Sequence, residues 1–415
     1  MKIDINYIAR VEGESSVKLE IEEGKLKELR LNIWEPPRFF EGFLVGRKFD
    51  EVPDIVARIC GICPVSHMTT AIRAMENAFG FTPSPEVKRI RKILALSQIL
   101  SSHLAHLYVL ALPDFFRLNS VVEMLPHFEK EIKRFLRLKE AANSITALFG
   151  GRALHPVSMV VGGFTKVPSK ADIEKAVKEL ESLHGDALET LKMVSELKCP
   201  ALENNAEFVA LKGKGEYAIN EGMISSTKGL NIKEHEYASY FIEDEVPYSN
   251  AKRTIIKDRG SLMAGALSRI NLGFDNLLPD AKKASEDIGF KGGSNPFLNN
   301  LAQAVEIVHA LQECAALLRG LSLKDYFADF KVREGAGSAV TEAPRGMLYH
   351  YYEIDRRGVI TKANIVTPTA HNFLNLEESL KKLVTENIDK PEDELIFMCE
   401  MLVRAYDPCF SCSVH

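Results

Sequence analysis

The sequence predicts an α+β protein that is mainly α, with a long-helix bundle as its core and small peripheral antiparallel sheets. Apolar residues recur at helical spacing over long stretches, above all between Ser84 and Leu112. Two shorter stretches instead alternate apolar and polar residues on either side of a turn, as antiparallel strands do. The 415 residues exceed the ~100–200 of a typical domain. Because no stretch rich in proline, glycine and serine divides them, we expect a single domain over residues 1–415.

Two hairpins account for most of the predicted strands. In residues 17–33 apolar residues alternate with polar ones around a turn at Glu23-Gly24. Residues 347–366 repeat this pattern around Arg356-Arg357-Gly358. Short strands and turns are also expected between residues 207 and 250, where the residues suggest no chemistry.

Helices account for most of the remaining chain. Pro64 suits the first turn of a helix over residues 64–79. Ser84-Pro85-Glu86 starts the long helix that ends near Leu112, roughly 40 Å away at ~1.5 Å per residue. A helix of that length is typical of the spine of a bundle. The other helical patterns cover residues 121–148, 171–197, 297–318, 376–383 and 391–405.

The composition limits the classes of function. It is ordinary for a globular protein, with 46% hydrophobic and 26% charged residues and a formal net charge of -5. So small a charge gives no electrostatic reason to expect a nucleic-acid partner. The most apolar stretch, Leu104–Leu112, carries His106 and is shorter than the ~18 residues of a membrane-spanning helix. Because no hydrophobic signal-peptide segment follows Met1, we expect a cytoplasmic protein without a membrane span.

Two CxxC pairs lie near opposite ends of the chain, at Cys60 and Cys63 and at Cys409 and Cys412. Four thiolates are the ligands that soft transition metals and iron–sulfur clusters prefer. Structural zinc uses the same ligands, but zinc ribbons place only ~15–20 residues between their pairs. Here 345 residues (64–408) separate the pairs. The predicted metal site therefore joins the two ends of a large folded body.

The first cysteine pair precedes the helix predicted to start at Pro64. The positive end of the helix dipole there favours thiolate over thiol. His67 lies one turn into this helix, where we expect it to be a hydrogen-bond partner of a ligand rather than a ligand. Cys199, Cys314 and Cys399 are scattered singly, which favours free thiols, buried in the case of Cys314 and Cys399.

The motifs RICGxCxxxH at residues 58–67 and DPCxxCxxH at residues 407–415 resemble those of the large, catalytic subunit of [NiFe] hydrogenases. Four more motifs of that family occur in order between the chain ends: RVEG at 10–13, RFFE at 38–41, EAPRG at 342–346 and IVTPT at 365–369. The resemblance covers essentially the whole chain and implies the [NiFe]-hydrogenase large-subunit fold. A maturation endopeptidase cuts family members just after the final motif histidine, so a chain ending at His415 looks like the processed form.

The resemblance implies a nickel–iron centre bound by the four cysteines. All four would bind nickel, Cys63 and Cys412 would also bind iron, and Cys60 and Cys409 would be terminal ligands. In the family the iron carries one carbon monoxide and two cyanide ligands. Arg345 and Thr369 match the positions that donate hydrogen bonds to these ligands. The apolar wall around them matches Pro344 and Pro368, and His67 and Asp407 also belong to the surroundings of the centre.

The implied reaction is the reversible heterolytic cleavage of dihydrogen into a proton and a hydride. Arg345 is one candidate for the base, but its neutral form is only about one part in 10⁵ at pH 7. We therefore expect the Cys409 thiolate to accept the proton first, with Arg345 supporting charge and orientation. Glu12 matches the family's proton-relay position, and burial can tune the pKa of a carboxylate for such a role.

A second metal is implied near the end of the chain. Glu41 matches the family's carboxylate ligand of a magnesium, or in some members Fe²⁺, ion. The Ile365 carbonyl and a His415 ring nitrogen would complete its protein ligands, a mixed set that suits magnesium. The ion would hold the terminal segment so that Cys409 and Cys412 stay in place.

The chain departs from the family pattern at two positions. Glu14 stands where many members have histidine, and Ser102 stands where an acidic residue lies over the metals. Ser102 therefore cannot take the role of that acid. The chain length and the CSVH ending are more like the soluble cytoplasmic group, including the sulfhydrogenase type, whose electrons pass to NAD(P), F420 or ferredoxin.

The expected partners follow from the need to move electrons. The chain has no further cysteine cluster, so we expect no iron–sulfur cluster in it. The resemblance implies that the electron partner is an iron–sulfur small subunit, followed by diaphorase-type flavin and iron–sulfur subunits. Two other functions stay open: a homologue that has lost nickel, such as a quinone-reductase subunit, which typically lacks these cysteines, and a zinc scaffold without catalysis.

Overall fold

The computed structural model describes residues 2–415. The strands are β1 Lys2–Ile5, β2 Ser15–Glu22, β3 Lys25–Ile33, β4 Met159–Val160, β5 Gly163–Phe164, β6 Glu207–Lys212, β7 Met223–Ser226, β8 Asn231–Ile232, β9 Phe241–Asp244, β10 Arg253–Ile256, β11 Leu262–Met263, β12 Gly335–Ala343, β13 Gly346–Ile354 and β14 Ile360–Val366. They form five small sheets, antiparallel except where β11 pairs with β6.

The α-helices are α1 Phe40–Leu44, α2 Val52–Val56, α3 Pro64–Phe79, α4 Pro85–Ala105, α5 Leu112–Phe115, α6 Val121–Met124, α7 Glu129–Gly150, α8 Lys170–Ser182, α9 His184–Ser195, α10 Tyr237–Tyr240, α11 Ala266–Gly273, α12 Pro279–Asp287, α13 Asn299–Arg319, α14 Pro368–Glu386, α15 Glu392–Ala405 and α16 Phe410–Ser413. Helix α13 packs against α4, α8 and α9, and α4 packs against α7. The expected fold class, mainly α with small antiparallel sheets, is confirmed.

The long central helix begins and continues as its sequence predicts. The Ser84 hydroxyl accepts a hydrogen bond from the Val87 backbone N–H, and Pro85 occupies the first turn. Beyond Ala105 a π-helical turn, His106–Ala111, leads into α5, so the helix reaches Phe115 rather than Leu112. The wide turn lies just before Pro113, which lacks an N–H and crowds the carbonyl four residues earlier.

Three helical predictions were wrong in their limits. The stretch 121–148 divides into α6 and α7, because Pro126 lies in the connection and cannot continue a helix. The stretch 171–197 divides into α8 and α9 at Leu183. The short helix predicted at 376–383 is the second half of α14, whose first half buries polar residues and therefore lacks an amphipathic pattern.

Both predicted hairpins are present, and each gains a strand that the alternation did not predict. β1 pairs with β2, and β12 pairs with β13. The sheet β12-β13-β14 lies in the interior rather than at the periphery, since β13 is almost wholly buried and α3 packs on β12 and β13. The close packing of α3 on β12 requires glycine at residue 337, because a Cβ atom there would collide with the Ala74 carbonyl oxygen.

One continuous apolar core contains residues from Ile3 to Val414. Two helical segments, Pro85–Phe115 and Pro296–Arg319, are long and apolar enough to cross a membrane by length and composition. Most of each segment is buried inside the protein. Burial of this kind is typical of the core helices of a bundle.

We expect Gly337→Ala to destabilise the protein. The added methyl group must push α3 away from β12, which costs about 1–3 kcal/mol. The free energy of unfolding in urea measures this cost. Gly185→Ala is the matched control, because a Cβ atom there meets nothing within 4 Å. Equal stability of the two variants would contradict the close contact between α3 and β12.

Candidate metal centre

The two cysteine pairs meet in the structure. The Cys60 and Cys409 sulfur atoms are 3.5 Å apart, and the Cys63 and Cys412 sulfur atoms are 4.0 Å apart. All four residues are 1–4% exposed. The Cys409 and Cys412 sulfur atoms are in direct contact with each other, and Cys60 and Cys63 are free thiols. Because thiolates are the metal-binding form of cysteine, the four sulfur atoms could hold a metal once deprotonated.

The N-terminal cysteine pair lies at the start of α3. The Cys60 sulfur accepts hydrogen bonds from the backbone N–H groups of Ile62 and Cys63, at 3.3 and 3.2 Å. Burial alone would raise the pKa of Cys60, but the hydrogen bond from Cys63 and the positive charge of Arg345 lower it. The pKa of Cys63, in contrast, is raised by its contact with Cys60 and by burial.

The C-terminal cysteine pair is held by a segment from the other end of the chain. Glu12 and Cys409 form an isolated parallel β-bridge, and the Phe410 N–H donates to the Glu12 carbonyl oxygen at 2.8 Å. Gly13 has φ +85°, and a Cβ atom on it would lie 2.6 Å from the Ser411 backbone nitrogen. The glycine of the RVEG motif thus permits the two segments to touch.

The Glu12 carboxylate lies beside the Cys409 sulfur. Its Oε2 accepts a hydrogen bond from that sulfur at 2.9 Å and another from the Ser411 N–H at 3.3 Å. The Ser411 hydroxyl donates to Oε1. The carboxylate is only partly buried. It therefore lies between the buried Cys409 sulfur and a less buried region.

Arg345 and Asp407 form a buried ion pair next to the cysteines. Nε of Arg345 donates to the Asp407 carbonyl oxygen at 2.7 Å, and Nη2 lies 2.9 Å from Asp407 Oδ1. Burial opposes the positive charge, but Asp407 and the two free cysteines raise the pKa of Arg345 above its ordinary value. Arg345 Nη1 is buried and has no hydrogen-bond partner among residues 2–415. One charged donor is thus left for a group bound at the centre.

The other expected neighbours lie in the same buried region. The Thr369 hydroxyl accepts a hydrogen bond from the Cys409 N–H at 2.9 Å, which leaves its own hydrogen free to donate. Pro344 and Pro368 are buried. The Pro344 carbonyl oxygen accepts from Nη2 of Arg269 at 2.9 Å. Sulfur ligands, unpaired donors and apolar rings together suit a soft metal that carries small anionic ligands.

His67 is buried and belongs to a row of hydrogen-bonded polar side chains with aromatic rings. Its Nδ1 lies 3.2 Å from His350 Nε2, and His350 Nδ1 lies 2.7 Å from the Tyr352 hydroxyl. Burial lowers the pKa of His67 to about 3, so the ring is neutral at pH 7. Its Nε2 has no partner among the described residues.

Glu41, Ile365 and His415 also come together. Glu41 Oε1 accepts from the Ile365 N–H at 2.7 Å, and His415 Nε2 lies 2.6 Å from the Ile365 carbonyl oxygen and 3.9 Å from Glu41 Oε1. His415 Nδ1 lies 2.7 Å from the Cys412 carbonyl oxygen. One histidine therefore contacts both the second candidate site and the C-terminal cysteine pair.

The sequence reasoning missed three residues that contact this region. Ser411 binds Glu12, and Gln303 donates to Asp407 Oδ2 at 3.0 Å. Arg38 was part of a recognised motif but had no assigned role, although it contacts both cysteine segments.

Of the two departures from the family pattern, Ser102 is buried and its hydroxyl has no hydrogen-bond partner among residues 2–415, while Glu14 donates its N–H to Glu35. The free thiols expected at Cys314 and Cys399 are confirmed as buried.

The sequence pattern of the nickel-dependent hydrogenase family matches residues 38–135 and 303–415. The chain belongs to this family, and it is an oxidoreductase that acts on hydrogen. The family's dependence on nickel agrees with a centre built from four buried cysteines.

The chain is similar to named hydrogenase components over its whole length. It is 36% identical to the alpha subunit of sulfhydrogenase 1 of Pyrococcus furiosus, covering 100% of this chain and 98% of that protein. It is 33% identical to the alpha subunit of sulfhydrogenase 2 of the same organism, covering 100% and 99%. It is 32% identical to a component of the F420-non-reducing hydrogenase of Methanothermobacter marburgensis, covering 100% and 95%.

Solved structures show the same fold. An NAD⁺-reducing [NiFe]-hydrogenase in the H₂-reduced state matches with a TM-score of 0.91 at 23% identity, covering 100% of this chain and 99% of that one. The Ni-Fe-Se hydrogenase of Desulfomicrobium baculatum matches with a TM-score of 0.81 at 21% identity, covering 100% of both chains.

Replacing Cys60 should remove nickel from the purified enzyme. Cys60→Ala deletes a ligand, so nickel affinity should fall by more than the roughly 10–100-fold that the loss of a ligand's outer neighbours costs. Elemental analysis by mass spectrometry gives the nickel content per chain. Cys199→Ala is the control, because Cys199 is a free thiol outside the centre. Equal nickel in both variants would rule out Cys60 as a ligand.

Proposed function

We propose that this chain is the catalytic subunit that cleaves dihydrogen reversibly and heterolytically at a nickel–iron centre bound by its four cysteines. The single observation that carries the proposal is the Glu12 carboxylate 2.9 Å from the Cys409 sulfur. A proton acceptor therefore lies in hydrogen-bond contact with a proposed metal ligand. Such contact is the geometric requirement for proton transfer.

The cysteines divide into two roles in this proposal. All four would bind nickel, and Cys63 and Cys412 would also bind an iron that would carry one carbon monoxide and two cyanides. The buried Nη1 of Arg345, which has no partner among residues 2–415, supports an anionic ligand at that position. The hydroxyl of Thr369 supplies a neutral donor, and Pro344 and Pro368 supply apolar contact. When bound, the centre polarises dihydrogen and accepts its electron pair.

The released proton passes to Cys409 and then to Glu12. Arg345 is a poor first acceptor, because Asp407 and the cysteines raise its pKa and keep it charged. A cysteine that binds a metal is already deprotonated, and Glu12 Oε2 lies within hydrogen-bond distance of the Cys409 sulfur. Ser411 donates to the same carboxylate and holds it in this orientation. Arg345 supports the negative charge of the thiolates.

Glu41, the Ile365 carbonyl and His415 would bind a magnesium ion, or Fe²⁺, in this proposal. Carboxylate, carbonyl and ring nitrogen form a mixed ligand set that leaves room for the waters magnesium usually keeps. The contact of His415 with the Cys412 carbonyl, at 2.7 Å, supports a role in holding the C-terminal cysteine pair. The ion would therefore serve the nickel site by keeping its ligands in place.

Electrons must leave through another protein. The three other cysteines lie singly and form no cluster among residues 2–415. The chain is thus one component of a larger hydrogenase, and we propose that its direct partner is an iron–sulfur small subunit. Diaphorase-type subunits would then deliver electrons to NAD(P), F420 or ferredoxin. A maturation endopeptidase acting on the precursor and a cytoplasmic location belong to the same proposal.

Metal analysis with infrared spectroscopy tests the centre. We expect about one nickel and one additional non-cluster iron per chain, with infrared bands of bound carbon monoxide and cyanide. The bands distinguish this iron from the iron of a partner's clusters, which carry no such ligands. Zinc alone in the purified protein, without these bands, would favour the structural scaffold instead.

Glu12→Gln should keep the metals but slow proton exchange with solvent. Glutamine preserves the shape of the side chain and cannot accept a proton, so hydrogen–deuterium exchange between H₂ and solvent should fall about 10²-fold or more. Glu14→Gln, a change two residues away, is the matched control and should exchange at the native rate. An unchanged rate in Glu12→Gln would argue against the relay role.

A further inference from the structure

Arg38 lies between the two cysteine segments and binds both. Its Nη2 donates to the Ile59 carbonyl oxygen at 2.7 Å and also to the Ser411 carbonyl oxygen. Ile59 immediately precedes Cys60, and Ser411 immediately precedes Cys412. One nitrogen of one side chain therefore connects the peptide groups in front of a cysteine from each pair.

The position of Arg38 is fixed from several sides. Its backbone N–H donates to the Val414 carbonyl oxygen at 2.9 Å. Its guanidinium lies 5.3 Å from the centre of the Phe40 ring, within the range of a cation–π contact. Glu41, three residues later, contacts Ile365 and His415. The segment 38–41 therefore contacts the surroundings of both candidate metal sites.

Few direct polar contacts join the two cysteine segments. Among residues 2–415, residues 58–63 and 407–415 share no backbone hydrogen bond, and the cysteine sulfur atoms are their direct polar contacts. Their carbonyl groups meet instead at Arg38. A charged donor to two carbonyls is stronger than a neutral one, and its loss leaves both acceptors without that partner.

We propose that Arg38 is a positioning residue for the metal centre, holding the two cysteine segments so that four sulfur atoms face one site. The role rests on the proposed function, because it presumes that these cysteines bind nickel. Arg38 does not act on the substrate. It acts through the backbone of the ligands, in the way that outer neighbours orient metal ligands elsewhere.

The geometry distinguishes between replacements. Both carbonyl groups accept from the same nitrogen, so the fork of a guanidinium is not essential. A lysine ammonium can donate to two carbonyls at once, whereas methionine has a similar length and no donor. We therefore expect Arg38→Lys to retain much of the function and Arg38→Met to lose it.

The test uses the complete hydrogenase complex and measures the loss of nickel to a chelator over time. Arg38→Met should weaken nickel retention by about 10–100-fold, with shifted or broadened carbon monoxide and cyanide bands. Arg38→Lys should lie close to the native enzyme. Arg47→Met is the matched control, because Arg47 is an exposed arginine nine residues further along the chain that pairs only weakly with Glu51, at 3.8 Å.

The outcomes separate the two proposals. Nickel retention and infrared bands identical to native in Arg38→Met would overturn the positioning role. A fall in unfolding temperature without any change in nickel retention would also overturn it, since that is a purely structural effect. If Arg38→Met does not accumulate, Arg38→Leu, which also lacks a donor, takes its place under the same criteria. Native enzyme without nickel would instead refute the proposed function.

Discussion

The structure depends on bringing together two pairs of cysteines that are 345 residues apart in sequence (residues 64–408 lie between them). Closing so long a loop has an entropic cost that the four sulfur atoms alone do not offset. Burial of apolar side chains offsets the rest of this cost, because one apolar core contains residues from both ends of the chain. The N-terminal segment then binds the C-terminal one directly, through the backbone of Glu12 and the close approach of Gly13 to Ser411.

Buried ion pairs surround the centre and fix the backbone next to its residues. Arg269 binds Glu306 and Glu342 and donates to the carbonyl of Pro344, just before Arg345. Arg404 binds Asp114 and donates to the carbonyl of Ala9. Burying such charges costs desolvation energy that often cancels their attraction, so they are weak sources of stability. Their contacts instead hold the segments that carry Glu12 and Arg345 in a single arrangement.

The sequence predicted features that depend on near neighbours. The cap at Ser84, the hairpin turns and the helix start at Pro64 each rest on a few consecutive residues, and each is present. Predictions failed where distant contacts replace the local pattern. β12 was missed because its glycines serve contact with α3 rather than alternation. The first half of α14 was missed because its buried polar residues find partners elsewhere in the fold, as Asn372 does at the Ala264 N–H.

By itself the sequence determined the class of ligands, the family and the residues worth testing, because the cysteine spacing and the motifs are local. The tertiary structure alone decided which groups meet. Arg38 and Ser411 lie inside recognised motifs and Gln303 lies outside them, but the contacts of all three span 21 to 399 residues and cannot be predicted from near neighbours. Such contacts exist only when the core has brought the segments together. That is why the candidate ligands could be predicted from the sequence, while the residues proposed to position them could be recognised only from the fold.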